Sequence, residues 1–507
     1  MPARNAVVFI TNSQTLPGLV LEPVASPTVQ MLNNPRDPLY KLLIIQAPTP
    51  VGLVDAARWL ALRADSLSGA RMPSVPVSPS PRTANDAPLW VNTDKPLDLG
   101  ELTPPEQLKV TGLYPALINV NFRAAPDLFL WPGDTVPLRV RYRFPEGEWL
   151  DTERSRLDVS LNGRYLKSIP VERAGLLERL WGKLGGKVRQ EEAAIPVPPD
   201  LIYGENRLSF YFNLRYTLEQ HCDPVLPKNV TSRIFPDSTL DMSQTQHMAT
   251  LPNLSFFVAA GYPFSAFADL SRTGLVLKAE PSNDELAAAL GLLARIGEAT
   301  GYPGIHLQVA LGDDGIAALR DRDLLALIPL NDPFAKVWLD GDTFMVKDER
   351  LKVTPMNLPQ RLVYLAKRAA FNQRREAARA LTGRTKSLAM LSRPSPLNPN
   401  RMLVMMTSPS GGALPLMVGD LRNPQVSAQV RGDLVLLDRD GETSGYQVGP
   451  VSLYGDISWY TALIWELGQR PFLMLAGVVM ILLIVVLAML PLLRRRAALR
   501  LDSWSRK

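Results

Sequence analysis

Asp151 and Glu153 are two carboxylates two residues apart. Glycoside hydrolysis needs such a pair held across a sugar, roughly 5 to 9 Å apart. Acid pairs of this kind recur on any solvated surface, so the spacing alone assigns no catalysis. Nucleotide chemistry has less support. The 33 glycines include no two with a single residue between them, and neither Gly182-Lys183 nor Gly186-Lys187 has the upstream glycine of a phosphate loop. Gly441 to Gly445 (GETSG) has the outline of a nucleophile elbow, but its centre is Thr443 and no helix follows. HExxH is absent. Cys222 stands alone and cannot form an internal disulfide, and His221, His247 and His306 leave little for a metal site. No cofactor, no metal and no catalytic residue is expected.

Sugar binding without catalysis is the better-founded chemistry. Aromatic rings stack on the C–H faces of pyranoses while neighbouring polar groups take the hydroxyls. The segment between residues 100 and 250 carries Trp131, Tyr142, Trp149, Tyr165, Tyr203 and Tyr211. Trp131 (LWPGD) and Trp149 (EGEWL) stand beside turn residues at strand ends, where a ring can be exposed. Tyr142 and Tyr211 alternate with apolar residues on their strands. These four are the carbohydrate-binding candidates.

Three kinds of element must position them. Val7–Thr11 and Tyr40–Ala47 read as buried strands, and Leu53, Ala56, Ala57, Leu60 and Ala64 fall at helical spacing before Gly69. Gly274–Leu311 repeats the order of strand, Pro281, helix with a Ser282/Glu285 capping box, Gly301 and strand. Two related α/β domains with parallel strands joined by crossover helices are expected. Between them Pro137–Phe144, Ser155–Val171 and Asn206–Tyr216 alternate as strands, with a hairpin signal at Asn162-Gly163, which reads as an antiparallel sandwich or jelly roll. Ala174–Ala193 reads as an inserted helix or a flexible lobe, and Leu358–Thr382 as a Lys/Arg-rich helix with a solvated basic face.

Pro471–Leu493 is an uninterrupted apolar run that ends at Arg494, Arg495 and Arg496. As a helix it is long enough for a hydrocarbon core of about 30 Å. Arg500, Arg506 and Lys507 follow, so the positive-inside bias puts the C-terminus in the cytoplasm and the bulk outside it. Most of the formal net charge of +6 lies in this tail, which leaves the rest nearly neutral and gives no footprint for nucleic acid. Just before the run, Trp459, Leu463 and Leu467 fall at i, i+4, i+8 with Tyr460 and Trp465 beside them, a short helix suited to the interface. Together with Gly477 in the span, these are the membrane and partner candidates. Export calls for a leader that MPARNAVVFITN does not resemble, so the chain reads as a truncated or split product.

Leu251–Leu277 (LPNLSFFVAAGYPFSAFADLSRTGLVL), Ile195–Phe212, the duplicated α/β units and the terminal span together resemble the periplasmic B subunit of bacterial cellulose synthase, over essentially the whole chain. The resemblance implies flavodoxin-like α/β domains at 1–98 and 251–455, alternating with an all-β jelly-roll carbohydrate-binding-like domain at 99–250. An interface helix at 456–470, one transmembrane helix at 471–493 and a basic tail at 494–507 would follow. It also implies a noncatalytic single-pass protein of the inner membrane that supports the catalytic glucosyltransferase subunit and guides the nascent cellulose. Implied partners are that subunit, the glucan and membrane lipid, with homo-oligomer formation left open. The family is also described as binding cyclic di-GMP, but the RxxxR pairs here, Arg375/Arg379 and Arg496/Arg500, have no following DxSxxG. A polysaccharide-processing enzyme and a stand-alone polysaccharide-binding membrane protein are the alternatives.

Overall fold

The computed structural model describes residues 3–63, 67–131, 133–146, 149–171, 191–216, 230–358, 361, 371–383, 388–438, 443–455, 457–468 and 471–505. Most of the expected helix at Ala174–Ala193 lies outside them, and its last residues, from Glu191, are strand.

The first α/β body is built from β1 (Ala6–Thr11), β2 (Thr28–Asn34), β3 (Asp37–Ala47), α1 (Pro50–Arg63) and β4 (Arg71–Pro73), in the sheet order β1-β3-β2-β4. One face packs Val29, Ile45, Ala56 and Trp59 under α1, and the other packs Ile10, Leu42 and Ile44. β1 runs parallel to β3, but β2 is inserted antiparallel between β3 and β4. The expected direct parallel pairing across the helix is therefore not made here. The β2–β3 hairpin, closed over two residues, takes the place beside β3.

The middle of the chain folds as two facing antiparallel sheets. β5 (Ile118–Arg123), β6 (Val136–Arg143), β7 (Arg156–Leu161), β8 (Arg164–Pro170), β9 (Glu191–Val197) and β10 (Glu205–Asn213) are its long strands. One sheet has the order β8-β7-β10-β5. The other centres on β6, which pairs with β9, Thr231–Ile234 and Thr239–Leu240. The ring of Phe144 bridges them, edge-on to Phe212 at 5.2 Å and to Tyr142 at 5.7 Å.

The second α/β body contains α2 (Leu254–Ala260), β11 (Thr273–Leu277), α3 (Asn283–Thr300), β12 (Gln308–Leu311), β13 (Asp323–Leu327), α4 (Phe371–Gly383), β14 (Leu388–Pro394), β15 (Met402–Thr407), α5 (Leu414–Asp420), β16 (Leu434–Leu437) and β17 (Thr443–Tyr446). Its sheet order is β12-β11-β13-β15-β14-β16-β17. The inner strands β11, β13, β15 and β16 are buried at every residue because helices cover both faces. The expected capping box is present: Ser282 Oγ accepts from the Glu285 amide at 3.3 Å, and Glu285 Oε2 accepts from the Ser282 amide at 2.8 Å. β11 and β12 pair parallel across α3, as the sequence pattern requires.

Topology nevertheless matches the first body to a different part of the second. β1-β3-β2-β4, with a hairpin followed by α1, repeats β13-β15-β14-β16, with a hairpin followed by α5, strand direction for strand direction. The order of strand, helix and glycine shared with Gly274–Leu311 reflects a common βα unit and not the same place in the sheet.

Polar knots hold the pieces together. Asp269, in the FADLS segment, accepts from the amides of Arg82 (2.9 Å) and Ser271 (3.0 Å) and from His306 Nδ1 (2.8 Å). Burial pushes its carboxyl up, but these donors outweigh that and hold it below the usual carboxylate range. At the C-terminal end of α3, Arg123 donates to the carbonyls of Glu298 and Ala299 at 2.9 Å and Trp90 donates to Ala299 at 3.0 Å. These bonds satisfy carbonyls that a helix end leaves open.

In the second body, burial pushes the Asp433 carboxyl up to about 7, against backbone donors Val448 and Gly449 and the charge of Arg374. An unfolded Asp ionises near its ordinary value of about 4. Between those limits the unfolded state has lost a proton that the folded state keeps. Stability is thus expected to fall as pH rises from about 4 to about 7, as steeply as about 1.4 kcal/mol per unit, and to level off above. Urea unfolding across that range would show the slope, and Asp433→Asn should remove it.

A separate compact unit comprises Asp127–Phe129, Gln246–Leu251 and Ser452–Lys507. Its short strands pair as Leu128–Phe129 with Gln246–His247 and Ala249–Leu251 with Ser452–Tyr454, and His247 Nδ1 lies 3.0 Å from Asp127 Oδ1. α6 (Trp459–Gly468) and α7 (Pro471–Ser505) follow, and α7 continues past the apolar run through the arginines. Among the described residues no helix is long and apolar enough to cross a membrane.

Candidate functional site

The outer face of the β8-β7-β10-β5 sheet is the best candidate for binding a polar polymer. Strands β5, β7 and β10 alternate, while β8 shifts register at a bulge opposite Val159 and Ser160. Leu157, Val159 and Leu161 on β7, Leu208, Phe210 and Phe212 on β10, and Ile118, Val120 and Phe122 on β5 point into the core. The intervening residues share the other face. Register sets them in rows: Asn121 beside Arg207; Asn119, Ser209, Ser160 and Tyr165 in line; Tyr211, Asp158 and Ser168 in line.

The rows are hydrogen-bonded laterally. Ser209 Oγ donates to Asn119 Oδ1 at 2.7 Å, Arg207 Nε reaches Asn121 Oδ1 at 3.4 Å, and Ser168 Oγ donates to Asp158. The predicted hairpin at Asn162-Gly163 fixes this register, with φ of 52° and 78° at its two residues. The Asn162 side chain then ties the turn to β10, accepting from the Arg207 amide at 2.8 Å and donating to Asn206 at 3.0 Å. The result is an array of amide, hydroxyl, carboxylate and guanidinium groups with the phenol rings of Tyr165 and Tyr211, suited to the hydroxyls and C–H faces of a neutral sugar chain.

The four aromatic candidates do not converge. Tyr211 is half-buried on this face. Tyr142 is 1% exposed with its ring against Phe144, so it belongs to the core and presents no face to a ligand, which corrects the expectation for it. The reason is strand parity: it shares the inward set of β6 with Leu138 and Val140. Trp149 belongs to the other sheet's end and lines a cleft of about 370 Å³ with Lys109, Arg143, Glu146 and Arg233. Trp131 is half-buried in a connecting segment. The residues that sequence reasoning missed, Asn119, Asn121, Asp158, Ser160, Arg207 and Ser209, were marked only by period-two alternation.

Asp151, one half of the carboxylate pair, accepts the amides of Glu153 (3.0 Å) and Arg154 (3.1 Å) and so caps a turn. Among the described residues no group of His, Cys, Asp and Glu could hold a metal ion. Arg375 and Arg379 are exposed on α4.

On α6 only Thr461 is buried, where Ser458 Oγ lies 2.7 Å from its hydroxyl. Trp459 is 78% exposed, Tyr460, Leu463 and Ile464 are also exposed, and Trp465 and Leu467 are half-buried. Gly477 on α7 has no neighbour within 4 Å of where a Cβ would stand.

Comparison with known proteins places this architecture. Residues 1–74 match the family described as cellulose synthase BcsB, first FD domain; residues 96–239 match its second CBM domain; residues 247–406 match its second FD domain. The chain is 30% identical to a cyclic di-GMP-binding protein of Komagataeibacter xylinus over 97% of its own length and 62% of the relative's. It is 32% identical to a protein of that name from Xanthomonas axonopodis pv. citri, over 99% and 65%. It is also 29% identical to cellulose synthase 1 of Komagataeibacter xylinus, over 96% of this chain and 32% of that one. The chain thus spans somewhat less than two thirds of the first of these relatives. Its α/β and β-sandwich bodies follow one another in the order of the matched domains, and the chain belongs to the cellulose synthase BcsB family.

Proposed function

We propose that this chain acts as a noncatalytic, membrane-anchored accessory subunit of bacterial cellulose synthase. The observation that carries the reading is the succession of three BcsB domain matches along the chain. In this reading the α/β bodies are flavodoxin-like, the sandwich is a jelly roll, and working boundaries fall at 98/99, 250/251 and 455/456. Pro471–Leu493 spans the inner membrane, the basic tail lies in the cytoplasm and the bulk lies in the periplasm. The charge-free apolar run and the arginines that end it support that topology.

α6 supplies the docking face for the catalytic glucosyltransferase, because exposed rings and aliphatic side chains on a short helix suit burial against lipid or a partner's helices. The polar sheet face contacts the emerging glucan. Regulation by cyclic di-GMP, which the relatives' names carry, is assigned to the catalytic partner, since neither RxxxR pair here has the follow-up motif.

Purification of the tagged chain from membranes is expected to recover a glucosyltransferase, and its consistent absence would overturn the assignment. Trp459→Ala with Trp465→Ala should reduce that recovery several-fold without changing membrane integration. Equal recovery would reduce α6 to a lipid contact. Tyr211→Ala is expected to weaken retention on cello-oligosaccharide affinity gels several-fold, whereas Tyr142→Phe should leave it unchanged.

A further inference from the structure

The second sheet of the sandwich carries a row of charges that folding alone does not reward. Register places Lys109, on the strand Lys109–Thr111, directly opposite Arg233, and Arg233 directly opposite Arg143 on β6. Side chains paired in this way stand about 5 Å apart at Cβ, where like charges repel. All three point away from the core, because Ser232, Ile234 and Tyr142 take the alternate, buried positions. Among the described residues Lys109 and Arg233 have no carboxylate partner, and Arg143 has only the exposed Glu146. Asp237, on the same side of the sheet, is engaged by Arg141. Arg233 is held by a ring instead: its guanidinium carbon lies 5.1 Å from the centroid of Phe235, and its Nε is shut from solvent without an acceptor. A ring fixes the position of a cation without neutralising it. The row also lines the cleft of about 370 Å³ that Glu146 and Trp149 share.

We propose that this cleft binds a small sugar phosphate, with the phosphate on Lys109, Arg233 and Arg143 and the sugar ring against the indole of Trp149. Charge, geometry and size select this ligand together. Three cations and one carboxylate line the cleft, a net charge of +2. A phosphate monoester carries about −1.5 to −2 at neutral pH and matches it, whereas a single carboxylate leaves half of it unmet. Two guanidinium forks side by side suit the oxygens of one phosphate, which would also relieve the repulsion along the row. The indole offers an apolar face to the C–H side of a pyranose, which an inorganic ion does not use. The volume lies near the lower end of small-molecule sites, roughly 300 to 1,000 Å³, and so fits a compact ligand. The cleft belongs to the sheet opposite the neutral polar face of β5, β7, β8 and β10, so the two sites are separate. The inference rests on register, charge and the cleft, and stands whether or not the cellulose reading does.

The test is calorimetric titration of the full chain in an uncharged detergent without a sugar headgroup, at low salt. Glucose 1-phosphate, glucose 6-phosphate, glucuronate, cellobiose and inorganic phosphate are the probes. One of the two sugar phosphates should bind at least tenfold more tightly than glucuronate, cellobiose or inorganic phosphate, and its affinity should fall as added salt screens the row. Lys109→Gln should weaken that binding at least tenfold while the unfolding midpoint of the unliganded chain stays level or rises, because one of three mutually repelling charges is gone. A row kept only for stability would lower the midpoint instead. Trp149→Ala should bring the sugar phosphate down to the affinity of inorganic phosphate, whose own unchanged binding shows that the cleft persists in the variant. No binding of either sugar phosphate, or undiminished binding by Lys109→Gln, would overturn the proposal. Inorganic phosphate binding as tightly as both sugar phosphates would overturn it in favour of a bare anion site, and equal binding of cellobiose would overturn it in favour of a neutral sugar.

Discussion

Replacing Arg374 with Ala is expected to cost the second α/β body about 3 to 5 kcal/mol, the range for removing one partner of a buried charged network. The guanidinium is buried and donates to three main-chain carbonyls, Val448 at 3.0 Å, Asp342 at 3.2 Å and Thr354 at 2.6 Å. These join α4, the Phe344–Val353 hairpin region and the segment that delivers two amides to Asp433. Removing it leaves buried acceptors without a donor and strips Asp433 of its neighbouring cation, each a desolvation cost that water cannot recover in a closed core. Urea unfolding measures the loss. Arg374→Lys should recover only part of it, since an ammonium cannot span three carbonyls set in a fork. A loss below about 1 kcal/mol, the scale of an exposed pair, would show that α4 gives way and solvates the site.

Gly477→Arg is expected to block membrane integration of the chain almost completely, provided that Pro471–Leu493 crosses the bilayer as proposed. A guanidinium at the centre of a span costs about 2.5 to 3.5 kcal/mol on insertion scales, roughly a hundredfold in partition, and this is the upper limit for Gly477, which stands seventh in the run. Gly477 has open space around it, so no packing clash confuses the result. Carbonate extraction of membranes reads it directly. The variant should move to the soluble or aggregated fraction while Gly477→Ala stays with the membrane. Unchanged integration of the arginine variant would count against the span.

Arg374 also shows where sequence reading stops. Leu358–Thr382 reads as a basic helix with a solvated face, and Arg375 and Arg379 are indeed exposed. Arg374 sits one residue away and is buried, because only the packed neighbours decide which arc of a helix turns inward. The pH response of Asp433 has the same origin: its donors, Val448 and Gly449, come from a later segment that the fold carries back to it.

Local chemistry could be read from the chain itself. The capping box at Ser282 and Glu285, the Asn162-Gly163 hairpin, the crossover helix between Thr273–Leu277 and Gln308–Leu311 and the apolar C-terminal run depend on residues near one another in the chain, where propensity and period act directly. What depends on distant pairing was decided only by the tertiary structure. Strand parity and register turned Tyr142 inward and left Tyr211 outward, assembled the polar face from β5, β7, β8 and β10, and inserted β2 between β3 and β4. A one-residue difference in register exchanges the two faces of a strand, and no residue carries that information alone.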